Sequence, residues 1–210
     1  MPHVPPDVSI PDETQQWLQP DCTSTARFFY DVIVSAAELP VLDAVSKWLR
    51  RARRWGQCET GALDRLMTQL QTHGLYQLYR VLVGWHRWEE EDEERDWRKS
   101  DQRRREAIDR YLKGLSEETL DQAVRDLDAV ATQAREAGET GTRWLNHLLM
   151  KLGERHPDLA RQLVECSLVG DLALKHHLSY VLAGLRGSIP DVAVGYIEAW
   201  TAGGDPALWL

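Results

Sequence analysis

The side chains best suited to chemistry gather in the last third of the chain. His147, His156, His176 and His177 lie there with Cys166 and Glu165, residue types that ligate divalent metals. Their spacing argues against a metal. Two ligands on one helical face are commonly four residues apart, as in HExxH, and no pair in this set has that spacing. The chain has no glycine-rich phosphate loop and no GxSxG nucleophile elbow. Asp and Glu total 33, so neighbouring carboxylates are expected by chance and none is singled out as a general acid or base. No catalytic residue, metal or cofactor is assigned, and the chain is read as non-enzymatic.

A second pattern suits binding. Trp144, His147 and Lys151 follow i, i+3, i+7 spacing and share a helical face beside an apolar stripe of Leu145, Leu148, Leu149 and Leu152. A shift of about 33 residues brings His177 and Tyr180 onto Trp144 and His147, with Gly184 at the place of Lys151. Aromatic side chains are enriched at interface hot spots. Trp144, His147, Lys151, His177 and Tyr180 are therefore the candidate groove for a protein or peptide partner. On this reading the leucines serve the core and the groove residues stay partly exposed. The alternative is that Trp144 and Tyr180 fill the edge of the core.

The elements that must hold this face repeat. Pro157-Asp158-Leu159-Ala160 falls on Pro190-Asp191-Val192-Ala193 at the same shift, and Gly170 falls on Gly203. Leu145, Leu148, Leu149 and Leu152 fall on Leu178, Val181, Leu182 and Leu185. Proline suits the first position of a helix, where its missing donor costs nothing, and aspartate behind it complements the helix dipole. Gly187 reads as a left-handed stop ahead of Pro190. One unit is thus a pair of helices that cannot bury its apolar face alone, and stacked copies bury a continuous core. These units resemble HEAT and armadillo-type repeats over residues 116–210. The resemblance implies a right-handed α-solenoid of stacked antiparallel helix pairs and carries no catalytic motif. Similar arrays stand behind signalling or NTPase modules in large bacterial proteins. That implies a scaffold, regulatory or sensor segment contacting partner proteins or other domains of its own parent chain. Ala207-Leu208-Trp209-Leu210 is expected to open the second helix of a further repeat, as in a fragment of a longer protein; the alternative is a short C-terminal tail tucked onto the core. The alternative resemblance is to HEAT-like alkylpurine DNA glycosylases, which need a basic groove. Arg50–Arg54 and Arg103–Arg105 hold the only basic clusters available for one.

The rest of the chain is also helical in pattern. Residues 1–20, broken by five prolines, read as an extended arm. Residues 21–115 form a helical region, with apolar stripes through Phe28, Phe29, Val32 and Ile33, then Val41, Leu42, Val45 and Leu49, then Leu63, Leu66 and Leu70, then Leu75, Leu78, Tyr79 and Leu82. A charged segment at 86–106, acidic then basic, reads as a solvated helix or a linker and marks the candidate boundary between the halves. Ser116 is placed to cap the helix that follows. The sum is an all-α protein of about ten helices.

Composition narrows the partners. The net charge is −8, which disfavours nucleic acid in general. Nine Trp against two Phe favours half-buried positions between helices. Cys22, Cys58 and Cys166 are sparse and odd in number, which argues against a disulfide framework or a structural zinc. No signal peptide or membrane-length apolar run is present, so a cytoplasmic location is expected.

Overall fold

A computed structural model of the chain describes residues 21–31, 38–55, 59–83, 97–136, 142–170 and 172–203. Ten α-helices and one 3-10 helix account for nearly all of them, and no strand occurs among the described residues. No helix among them is long and apolar enough to cross a membrane. The arm at 1–20, the acidic run at 89–94 and the segment 204–210 lie outside the described residues. The chain divides into two compact units, residues 1–77 and 78–210. That division comes earlier than the charged segment, of which residues 97–106 belong to a helix of the second unit.

In the first unit, helix α1 (21–31) is followed by α2 (Leu39–Trp55) and α3 (Thr60–Thr72). Leu42, Val45, Leu49 and Ala52 recur at helical spacing on α2, and Leu63, Leu66 and Leu70 on α3; all are buried. Phe29 meets Trp48 edge-on at 5.0 Å between centroids and joins α1 to α2. Outside the core, Arg53 pairs with Asp64 at 2.6 Å. His73 alone separates α3 from α4 (Gly74–Leu82), so Gly74 opens a helix rather than closing one. The bend is fastened from both sides: Gln77 Nε2 donates to the Leu70 carbonyl at 2.8 Å, and the Tyr76 N–H donates to His73 Nδ1 at 3.3 Å.

Cys22 is disulfide-bonded, whereas Cys166 is a free, exposed thiol. This corrects the expectation drawn from sparse cysteines. Bridging depends on Cα atoms coming within about 7 Å, which sequence spacing does not reveal.

The second unit continues from α4 into α5 (Trp97–Lys113) and α6 (Glu117–Glu136). Thr119 Oγ1 accepts from the Ser116 N–H at 2.9 Å, so the residue three places on reaches back to the start of α6, as in a capping box. Then come α7 (Arg143–Arg155), α8 (Pro157–Val169), the 3-10 turn Ala173–His177, α9 (Leu178–Ser188) and α10 (Pro190–Gly203). Pro157 and Pro190 both occupy first helical positions, for the donor-economy reason given above. Gly187 is not a stop: it lies inside α9, which is closed by the Ile189 N–H donating to the Leu185 carbonyl at 2.7 Å, while the Ser188 hydroxyl donates across to the Gly153 carbonyl at 2.9 Å. The counterpart of α7 is also not one continuous helix. Its first turn is the 3-10 segment, where the Leu174 N–H donates to Asp128 Oδ1 at 3.1 Å.

α7 packs against α5, α8 and α9, and α9 packs against α7, α8 and α10. The α7–α9 contact dominates. Leu145, Leu148, Leu149 and Leu152 of α7 and Leu178, Val181, Leu182 and Leu185 of α9 are all buried. The two helices meet backbone to backbone at Gly153 and Gly184. A Cβ on Gly184 would stand 2.1 Å from the Met150 carbonyl oxygen, and one on Gly153 would stand 2.5 Å from that of Val181. Only glycine fits at such a crossing.

Candidate functional site on the α7–α9 face

The groove residues divide sharply by burial. Trp144 is only 5% exposed. Its ring meets His147 edge-on at 5.7 Å, and the guanidinium carbons of Arg143 and Arg104 lie 5.3 and 5.8 Å from its centroid. Arg104 is itself 2% exposed and donates to the Val81 carbonyl at 3.4 Å. Trp144 thus belongs to the core between α5 and α7, which corrects the expectation that it stays open. An indole flanked by two guanidinium groups gains from cation–π attraction, and burial strengthens that attraction.

His147 is half-buried and Lys151 is ion-paired with Glu154 on its own helix. The His147 pKa is lowered, first by desolvation, then by the positive charges of Lys151 and Arg105 and, less, Arg143; Glu154 opposes them. At neutral pH His147 is therefore an uncharged donor–acceptor group. His177 turns towards α7, where its Nδ1–H donates to Asn146 Oδ1 at 2.8 Å. Burial, then the neighbouring His176, lowers its pKa as well. Tyr180 is 41% exposed and stands one turn before Gly184 on α9. His147 stands just under two turns before Gly153 on α7.

The glycine crossing brings α7 and α9 close, and Tyr180 stands beside it on α9, while His147 packs against Trp144. His177 bridges to α7 through its bond to Asn146. The side chains along α7 and α9 include a phenol ring, a neutral imidazole and several cations. Among the described residues, no three His, Cys, Asp or Glu side chains converge to hold a metal ion. Sequence spacing had not singled out Arg143, Asn146 or Gly153, and it gave Arg104 only as part of a basic cluster and Gly184 only as the counterpart of Lys151. The glycines did carry a signal: Gly inside a helical pattern costs about 1 kcal/mol and usually has a packing reason.

A cleft of about 640 Å³ lies in the first unit, walled by Arg27, Tyr30, Asp31, Glu59 and Arg65 over a floor that includes Ala26. Two guanidinium and two carboxylate groups balance along its walls. No protein-family model, curated protein or solved structure matches the chain.

Proposed function

We propose that the second unit is a non-enzymatic protein-interaction module, built of stacked helix pairs in the manner of an α-solenoid. One observation carries this reading. Asn146 meets His177, and Glu165 meets Tyr196, at the same separation of 31 residues. Gly153 and Gly184, in backbone contact, stand at that separation too. A constant separation in α7–α9 and again in α8–α10 is what successive copies of one helix pair produce on stacking. Residues lining such a stack form extended surfaces suited to peptides or to other domains of the same chain. By its resemblance to repeat arrays of large bacterial proteins, the module serves as a scaffold or regulatory segment there.

The test is selection from a random peptide display library on the purified chain. Selected peptides should lose binding to the Tyr180→Ala variant and keep it for a distant surface variant such as Arg125→Ala, with the melting temperature unchanged in both. Failure to select any peptide, or binding indifferent to Tyr180, would overturn the reading.

A further inference from the structure

We propose that the cleft of the first unit is a site for a short zwitterionic peptide, its carboxylate taken by Arg27 and Arg65 and its ammonium by Glu59. The site is separate from the interaction surface of the second unit. The cleft measures about 640 Å³, within the roughly 300–1,000 Å³ of small-ligand sites. Its walls are one face of α1, with Ala26, Arg27 and Tyr30, and one face of α3, with Gly61 and Arg65 four residues on. Small residues make the space: Ala26 is buried, and a Cβ on Gly61 would meet nothing within 4 Å. Each wall brings one exposed guanidinium. Arg53 of the same unit pairs with Asp64, but Arg27 and Arg65 have no side-chain partner among the described residues. The Glu59 carboxylate makes no capping bond to α3, whereas Asp31 is already engaged. Two cations and one carboxylate on the cleft therefore stand ready for a ligand.

Both signs of charge on one cleft select the ligand. A simple anion would meet Glu59 and Asp31 as well as the arginines, and a simple cation would meet the arginines. A peptide with free ends carries a carboxylate and an ammonium and answers both. Guanidinium groups pair with a carboxylate through two parallel hydrogen bonds. Between the charges, Ala26 and the Tyr30 ring offer apolar contact to the middle of the peptide. The walls are also held in advance. On α1, Cys22 is disulfide-bonded, Thr23 Oγ1 accepts from the Glu59 N–H at 3.4 Å, and Phe29 meets Trp48. A cleft fastened in this way loses little affinity to ordering of its walls.

The experiment is calorimetric titration of the full chain with four probes. These are trialanine, its N-acetyl form without the ammonium, its C-terminal amide without the carboxylate, and inorganic phosphate. Trialanine is expected to bind roughly five- to tenfold more tightly than the amide and about three- to fivefold more tightly than the acetyl form, as exposed ion pairs allow. Joint Arg27→Gln and Arg65→Gln substitution should abolish the preference over the amide and keep that over the acetyl form. Glu59→Gln should do the converse. Gly61→Leu places a side chain in open space, so it should block binding of trialanine with the melting temperature held. Unchanged binding by the folded Gly61→Leu variant puts the peptide elsewhere and overturns the site. An amide or acetyl form that binds as tightly as trialanine overturns the zwitterion assignment, and tighter binding of phosphate overturns it in favour of a plain anion site. No binding of trialanine at millimolar concentration removes the proposal altogether.

Discussion

Gly184→Ala asks whether α7 and α9 truly meet backbone to backbone. The new Cβ would stand 2.1 Å from the Met150 carbonyl oxygen and 3.0 Å from both the Glu154 nitrogen and the Gly153 Cα. These are backbone atoms of a packed helix, so no side chain can swing aside. Relief needs the helices to part by about 1 Å, and a gap of that size forfeits a quarter to a half of each dispersion contact across it. Overpacking of this kind typically costs 1–3 kcal/mol, and the backbone origin of the clash puts it near the top of the range, about 3 kcal/mol. Against that, alanine gains about 1 kcal/mol over glycine inside a helix. The net is about 2 kcal/mol of destabilisation, a fall of roughly 4–10 °C in melting temperature for a unit of this size. Gly187 lies three residues on in the same helix, and a Cβ there meets nothing within 4 Å. Gly187→Ala should therefore hold or raise the melting temperature. Thermal circular dichroism of the two variants is the assay. Equal stability of Gly184→Ala and Gly187→Ala would refute the close crossing.

Trp144→Ala should destabilise by about 3–5 kcal/mol in urea unfolding, as a buried indole does, whereas Tyr180→Ala should change stability by about 0.5 kcal/mol or less. His177 has a lowered folded pKa, so its contribution is fully present above the ordinary histidine range and is lost as pH falls through the folded value. The melting temperature should drop on acidification below about pH 6.5, and His177→Gln should flatten that part of the profile. The Tyr111 hydroxyl is buried with no hydrogen-bond partner among the described residues, and burial, then Asp126, pushes its pKa up. Tyr111→Phe should be neutral or stabilising, since it removes an unpaid desolvation cost; a loss above about 1 kcal/mol in the same unfolding assay would show a partner for that hydroxyl. Alkylation under non-reducing conditions followed by peptide mass spectrometry should label Cys166 and leave Cys22 unlabelled.

The helices were legible because their signals are local. Pro157 and Pro190 fix helix starts by their own geometry, and the leucine stripe of α7 reports its buried face by period alone. The site was less legible because burial at its edge is a tertiary property. Trp144 and His147 share one stripe in the sequence, yet Arg104 from α5 covers one and leaves the other half open. Nothing in the spacing of α7 announces that lid. Gly187 and Gly184 show the same limit in reverse. Both are glycines in one helix, and only the neighbour at Met150 makes one of them indispensable.

The contact separation of 31 residues has a geometric result of its own. Sequence counterparts on α7 and α9 stand about 33 residues apart, two more than the residues that touch. Two residues amount to about 3 Å along a helix axis. Each counterpart is therefore displaced by a step along its helix instead of standing level with its twin. His177, the counterpart of Trp144, accordingly reaches Asn146 and passes the indole by. A chain segment bridging His147 and Tyr180 would run obliquely, like a plank laid across stair treads. Its side chains would have to follow that slant, which sets a direction for the ligand on a face whose two helices run the same way.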